Sequence, residues 1–398
     1  MKGKNVMKNK ISLIIIFSLS CFIFIGCATN VSTVKDKGHT VSLSEIELFL
    51  ADSVFFKSSI VVPLETNSSS LVQKITRMCI VQDTLFILDS ALSKVFIFDM
   101  KGHYLGGIHE IGNGPQEYIH ISDICINPIR KCIALLCDQP YKLMYYTYSG
   151  EFIEEASYAN YYSELSISGD SIYCYDIGSN GKRKFHIFEY PMIKEGEVSF
   201  STGNYFDAEG EGATYSFSKG KRMTVSDEIM FTWPFDFSIY SLVEGEAYQK
   251  YVIDFKEHRM PENLLKDNLS PMDFMNLCDE KDYVCTVENV VENSDYLLFG
   301  TNKYMFIYDK QMDKLTGYNF IENSALKAGK ADYLTLNSSN YIAQVWQSSE
   351  FKRHIDNRKE RDGNLEGLDR QYLQIYESME DEDNPILLIY ELPCNDAD

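Results

Sequence analysis

Three observations predict an all-β chain, a six-bladed β-propeller with two helical insertions. One β-rich phrase recurs, its first recurrences lie about one blade-length apart, and turn residues divide each phrase. The openings at residues 83, 131, 170, 227 and 295 are 48, 39, 57 and 68 residues apart. Internal β repeats of about 40–50 residues are the mark of propeller blades. The longer intervals leave room for insertions.

The first phrase runs Leu85-Phe86-Ile87-Leu88-Asp89, then Val95-Phe96-Ile97-Phe98-Asp99, and Met100-Lys101-Gly102 turns it into His103-Tyr104-Leu105. A polar residue followed by glycine between two such runs is a hairpin signal. The second joins 132–136 to 142–146 and, past Ser149-Gly150, to Phe152-Ile153. The third joins 170–175 to 184–188. The fourth joins 227–231 to 237–240, Gly245 and 251–253, and the fifth joins 295–299 to 304–308. A sixth, at 333–336 and 341–343, resumes at Pro385-Ile386-Leu387-Leu388-Ile389-Tyr390. Ile60-Val61-Val62-Pro63-Leu64 is the segment expected to close the ring by pairing into the last blade. The insertions, both expected to lie outside the blades as helices, are 261–280, starting at Pro261, and 351–380; the propeller is expected to fold without 352–380. In the latter, Leu365, Leu368, Tyr372, Ile375 and Met379 fall three or four apart on one face. A pair of β-sandwiches is the alternative architecture, because regular short strands suit it too.

The chain has 398 residues, 45% of them apolar, with 27 Tyr and 24 Phe, enough to bury a large core and exclude disorder. Its formal charge is −21. The first 26 residues hold Lys2, Lys4, Lys8 and Lys10 and no acid, so removing them leaves 33 − 58 = −25. A surface that acidic excludes nucleic acid and anionic lipid as main partners.

Residues 1–26 read as a signal peptide. The four lysines precede an uncharged, mostly apolar run of 15 residues, 11–25, too short for a membrane span of about 20. The run ends Phe24-Ile25-Gly26-Cys27, which resembles a lipobox with Cys27 acylated; an ordinary signal with a chance cysteine is the other reading. Residues 27–59 are then expected to be a tether and 60–398 the propeller. No aspartate follows Cys27, which resembles an outer-membrane lipoprotein facing the periplasm. Cys21 lies within the signal peptide, and the eight cysteines after Cys27 form no CxxC pair and lie mostly in apolar runs. Buried thiols are the expectation, with a disulfide as the alternative.

After the first phrase comes Ile111-Gly112-Asn113-Gly114-Pro115-Gln116-Glu117-Tyr118. With the strand–strand–Asp–x–x–Gly unit before it, this loop resembles that of the six-bladed β-propeller lipoproteins of gut-type Gram-negative anaerobes. More distantly the loop looks like part of an NHL repeat, and the family implies a TolB-like or NHL-like propeller. The resemblance implies the fold and a lipid anchor, and no established activity. Gly112 and Gly114 are expected to allow positive φ and close backbone approach, Pro115 to fix one φ and end strand pairing, Glu117 to accept backbone N–H bonds and Tyr118 to cover the loop. The loop is either a rigid connector or a ligand contact.

Hydrolase elbows, HExxH, phosphate loops and EF-hand loops do not occur in the sequence. No cofactor and no metal are expected. His109, Glu110, Glu117 and His120 are the one set considered for a divalent cation, without diagnostic spacing. Trp233 and Phe235, in Trp233-Pro234-Phe235-Asp236-Phe237, are either an aromatic platform or core. Three functions compete. The first is a non-catalytic module binding a glycan, peptide or envelope protein. The second is a pure interaction scaffold. The third is a propeller enzyme, a lyase or ion-assisted hydrolase.

Overall fold

The computed structural model describes residues 38–176, 184–189, 195–199, 220–226, 228–233, 235–243, 246–266 and 269–394. The expected signal peptide 1–26 and Cys27 lie outside them, as do Asp227, Pro234 and Gly245 of the predicted phrases.

Antiparallel four-stranded units follow one another along the chain. The first unit is Ile75–Val81, Thr84–Asp89, Lys94–Asp99 and Tyr104–Ile108. The second is His120–Asn127, Cys132–Gln139, Tyr141–Thr147 and Phe152–Ser157. The third is Glu164–Ser168, Ser171–Asp176, Lys184–Glu189 and Glu195–Ser199. The fourth is Met223–Val225, Ile229–Thr232, Ser238–Val243 and Glu246–Asp254. The fifth is Val287–Glu292, Tyr296–Thr301, Met305–Asp309 and Lys314–Tyr318. A last sheet orders Leu334–Thr335, Tyr341–Trp346, Ile386–Glu391 and Ser58–Pro63.

The turns explain why the phrase repeats. The Asp99 carboxylate accepts the N–H groups of Lys101 and His103 at 2.8 and 2.9 Å, and Asp309 accepts those of Gln311 and Met312 at 2.9 Å each. An aspartate ending a strand thus satisfies the turn's free donors, a local bond that favours turns over continued strand. Gly102, at φ +88°, sits where a Cβ would lie 2.0 Å from the Pro63 carbonyl oxygen. Only glycine lets this turn approach the end of Ser58–Pro63 so closely.

Packing follows the same order. Middle strands such as Thr84–Asp89 and Lys94–Asp99 are buried on both faces, while the outermost Phe152–Ser157 alternates half-buried and exposed. That is the pattern of sheets stacked face to face. Separate apolar clusters join each unit to the next: first to second around Phe86 and Ile133, second to third around Tyr145 and Ile172, third to fourth around Tyr173 and Phe231. Fourth meets fifth around Ile239 and Phe299, and fifth meets the last sheet around Leu298 and Ile342. A further cluster returns from the last sheet to the first, packing Ile389 and Leu387 with Leu85 and Phe96.

The expected tether needs correcting. From His39 onward the chain is built into the sheets. His39–Glu47 runs parallel to Glu246–Asp254 over its first half and parallel to Lys314–Tyr318 over its second, welding the fourth and fifth units into one nine-stranded sheet. Its Val41 and Leu43 are buried in the cluster between those units. Helix α1, Asp52–Phe55, and the strand pair that Leu50–Ala51 makes with Ile321–Asn323 follow. Ser58–Pro63 then pairs antiparallel with Ile386–Glu391, in the register Pro63 to Ile386.

The insertions also differ from expectation. The first helix, α2, spans Pro271–Lys281; 262–266 is only a 3-10 turn. Pro271 takes the helix start foreseen for Pro261 because Ser270 precedes it. The Ser270 hydroxyl accepts the Asp273 N–H at 3.1 Å, a cap that Pro261 lacks. The second insertion is two helices, α3 (Ser348–Asp362) and α4 (Arg370–Ser378), broken at Gly363 in the left-handed region. They do not lie outside the fold: Phe351, Ile355, Tyr372 and Ile375 are buried in the cluster between the fifth unit and the last sheet.

Glu292 ties the fourth and fifth units by charge. It accepts the Tyr251 hydroxyl at 2.6 Å and pairs with Lys250 at 2.8 Å and Lys310 at 2.7 Å. Burial alone would raise its carboxyl, but the bonds from Lys250, Lys310 and Tyr251 outweigh it and hold the group below the usual carboxylate range. A pKa lower in the folded than in the unfolded chain stabilises at neutral pH and is lost as pH falls through the folded value. Glu292→Gln should therefore lower the urea midpoint at pH 7, and its deficit against wild type should shrink on acidification towards pH 3. A deficit independent of pH would contradict the role.

Candidate functional site

Each unit begins with a strand that sequence periodicity did not single out. The predicted openings coincide with second strands, at Thr84, Cys132, Ser171, Ile229 and Tyr296. The first strands pack against one another from unit to unit, and the first strand of the last sheet, Leu334–Thr335, packs against Ile75–Val81. Their polar side chains meet inside this circle.

Arg77 is fully buried. Its guanidinium lies 3.7 Å from Asp123 and donates to the Met223 carbonyl at 3.3 Å, crossing from the first unit to the fourth. Asp123 also takes Lys221 Nζ at 3.1 Å and the Leu165 N–H at 2.9 Å. Glu164 accepts the N–H groups of Arg222 and Met223 at 3.1 and 2.8 Å. Burial opposes the charge on Arg77, but Asp123 and the other groups around it more than compensate and raise its pKa. Burial pushes the Cys125 thiol up to about 12 and that of Cys79 higher still, so neither is a nucleophile at neutral pH. No disulfide joins the eight cysteines of the described residues. This layer lies near the ends where the first strands begin, just beneath one face of the circle.

That face carries a cleft of about 450 Å³ between the fifth unit and the last sheet. Glu288 and Asn289 of the innermost strand line it, the turn residues Thr301, Lys303 and Tyr304 form one wall, and Asp332 and Tyr333 the other. Asn289, at φ +53°, donates to the Tyr333 carbonyl at 2.9 Å and receives the Tyr333 hydroxyl on its own carbonyl at 2.8 Å. The Lys303–Tyr304 wall is braced by Asp282, which ends α2 in the left-handed conformation. Asp282 pairs with Lys303, accepts the Tyr304 hydroxyl at 2.6 Å and pairs with His258 Nδ1 at 2.9 Å. Partial burial would raise its carboxyl, but the bonds from Lys303 and Tyr304 overcome that and lower it. The α2 insertion thus shapes the cleft, and the charged groups of this wall are engaged with each other.

The predicted loop lies elsewhere on the structure, linking the first and second units. It closes on itself: Gly112 N–H donates to Tyr118 O and Tyr118 N–H to Glu110 O, both at 2.9 Å. Tyr118 does not cover the loop from outside. Its ring is fully buried in the cluster between the two units, with its hydroxyl on Ile108 O at 3.2 Å. Gly112 and Gly114 do not have positive φ; the left-handed residue is Gln116, at +64°. What excludes a side chain at 112 is Glu117, whose Oε2 accepts the Gly114 N–H at 2.7 Å and stands 2.0 Å from a Cβ placed on Gly112. At Gly114 the same approach is 3.0 Å. Pro115 is exposed at the tip. Gly112→Ala should therefore expel the carboxylate and cost about 1–2 kcal/mol. In a Glu117→Ala background the same change should be near neutral. Equal costs in both backgrounds, by thermal melts, would contradict the contact.

Trp233 is fully buried against Tyr175 and Phe231, so it is core and no platform. Phe235 is half-buried against Phe274 of α2, its backbone at φ +60°. His120 pairs with Asp138 at 2.8 Å, Glu117 turns into its own loop, and His109 and Glu110 are exposed. Among the described residues no three His, Cys, Asp or Glu group as metal ligands. None of the described helices is long and apolar enough to cross a membrane.

A family model described as a domain of unknown function (DUF4934) matches residues 39–391, from the welding strand His39–Glu47 to Ile386–Glu391. The chain belongs to this family. No curated protein matches it. Among solved structures, a protein of Bacteroides fragilis described as exported shares the fold. It has 18% identity and a TM-score of 0.68, covering 89% of this chain and 100% of that one. The WD40 repeats of RRP9 align at 10% identity and a TM-score of 0.43, over 87% and 100% of the two chains. BamB from Moraxella catarrhalis aligns at 10% and 0.34, over 72% and 71%.

Proposed function

We propose that this family member is a non-catalytic binding module of the cell envelope, built as a six-bladed, TolB-like or NHL-like propeller. Six clusters between successive sheets, the last returning to the first, support the blade count. The cleft on one face carries the functional reading. Concave sites with a few fixed polar groups are where small ligands are held. Here lysine, carboxylate and tyrosine side chains surround a space of about 450 Å³, a lining suited to the hydroxyls of a glycan or the backbone of a peptide. A glycan array probed with the purified protein tests this. Binding that Lys303→Ala or Tyr304→Phe weakens at least tenfold supports it. Turnover of a bound glycan, ester or peptide would favour the enzyme, and binding untouched by either variant would move the site.

The lipobox-like junction supports anchoring through Cys27, in an outer membrane and facing the periplasm. Cys27→Ala should shift the protein from the detergent phase to the aqueous phase in phase partition. Wild type recovered in the aqueous phase would refute the anchor.

A further inference from the structure

On the same face as the cleft, but between the second and third units, lies a second surface of different character. Tyr141 and Tyr161 are 39% and 45% exposed, and Ile119, next to the Gln139–Tyr141 turn, is 42% exposed. These side chains stand on a firm base. Tyr141 stacks on Tyr158 at 5.7 Å and Tyr158 packs on Tyr162 at 5.2 Å; both supporting rings are buried. The Tyr158 hydroxyl is fixed on Cys137 O at 2.5 Å, and the Ile119 N–H on Gln139 O at 2.7 Å. Tyr161 lies beside Asp138, Tyr141 and Glu164. The patch is thus preorganised rather than a set of loose side chains, which lowers the ordering cost of binding.

Its charge is one-sided. Residues 102–181 contain three cations, Arg130, Lys131 and Lys142, and ten acids, a balance of 3 − 10 = −7. Arg130 and Lys131 sit on the turn at the opposite end of the second unit, where Arg130 pairs with Asp170 at 2.7 Å. Lys142 is buried and held by Glu155 at 2.9 Å. Around the tyrosines that leaves Asp138, with His120 on it; Asp123 and Glu164 turn inward to Arg77, Lys221 and the Arg222 N–H.

From this we infer that the tyrosine surface docks a basic peptide segment, with a lysine or arginine over the Tyr141 and Tyr161 rings against Asp138 and an apolar neighbour on Ile119. A cation over a tyrosine face gains from the ring quadrupole. A carboxylate beside it adds a charge-assisted bond, and the overall negative charge speeds encounter with a cationic partner. The surface is separate from the cleft and its occupancy does not depend on it.

An array of randomised nonapeptides, probed with the purified protein beside a set of neutral oligosaccharides, tests the inference. Expected is enrichment of lysine or arginine next to an apolar residue. Affinity of the best peptide should fall as salt rises, and should drop at least tenfold in Tyr161→Ala and in Asp138→Asn. Lys303→Ala, in the cleft, should leave that affinity unchanged. Thermal melts of Tyr161→Ala and Asp138→Asn confirm that the fold is intact. No basic enrichment, binding indifferent to both variants, or competition by a neutral oligosaccharide in place of the peptide would overturn it.

Discussion

Asp123→Ala is expected to destabilise the protein by about 3–5 kcal/mol, the usual cost of leaving a buried charge without its partner. Asp123 is fully buried and faces Arg77, also buried, and Lys221. Removing it strands two cations beneath the face of the ring and frees the Leu165 N–H that Asp123 accepts. Asp170→Ala removes a pair of nominally better geometry, 2.7 Å from Arg130, but that carboxylate is 74% exposed and should cost less than about 1 kcal/mol. Urea titrations of the two variants side by side make the comparison. An Asp123→Ala midpoint close to that of Asp170→Ala would show that the axial charges do not hold the ring.

Deleting 352–380 with a short linker should abolish cooperative folding. On sequence alone these residues look like an appendage that the propeller can lose. In the structure Ile355, Leu368, Tyr372, Ile375 and Met379 all pack into the cluster shared by Leu298, Ile342, Ile386 and Leu388. Each large apolar side chain so buried contributes roughly 1.5–3 kcal/mol. Five of them match the whole margin of a typical domain, about 5–15 kcal/mol. The deletion also bares the strand Ile386–Glu391, to which the closing Ser58–Pro63 pairs. A deletion variant that melts in a single sharp transition within a few degrees of wild type would contradict this packing.

The contrast between these two regions shows what was legible. Strands such as Thr84–Asp89 and Met305–Asp309 announce themselves because both faces are buried and an aspartate ends or follows them at the turn. The innermost strands do not. Their polar residues, Arg77, Asp123, Glu164 and Glu288, face the axis and interrupt the apolar run, so the repeat reads one strand late. The axial charges and the cleft therefore went unseen, although a charged residue recurring shortly before each apolar phrase was the available signal. The His39–Glu47 strand was hidden for another reason: its burial alternates, and both its neighbours lie more than 200 residues away. The loop 112–118 was legible as a loop, but its glycines serve a carboxylate rather than unusual backbone angles. In the sequence Trp233 reads equally as platform or core, and the packing of the third unit on the fourth makes it core.

Hydrogen exchange of the purified protein, with and without a saturating concentration of its best glycan-array ligand, tests the binding-module account most directly. Added protection should concentrate in 288–289, 300–304 and 330–334, the segments lining the cleft, with Trp233 and the loop 112–118 unchanged. Protection confined to outer strands such as 152–157, or spread evenly over the ring, would contradict a site in the cleft.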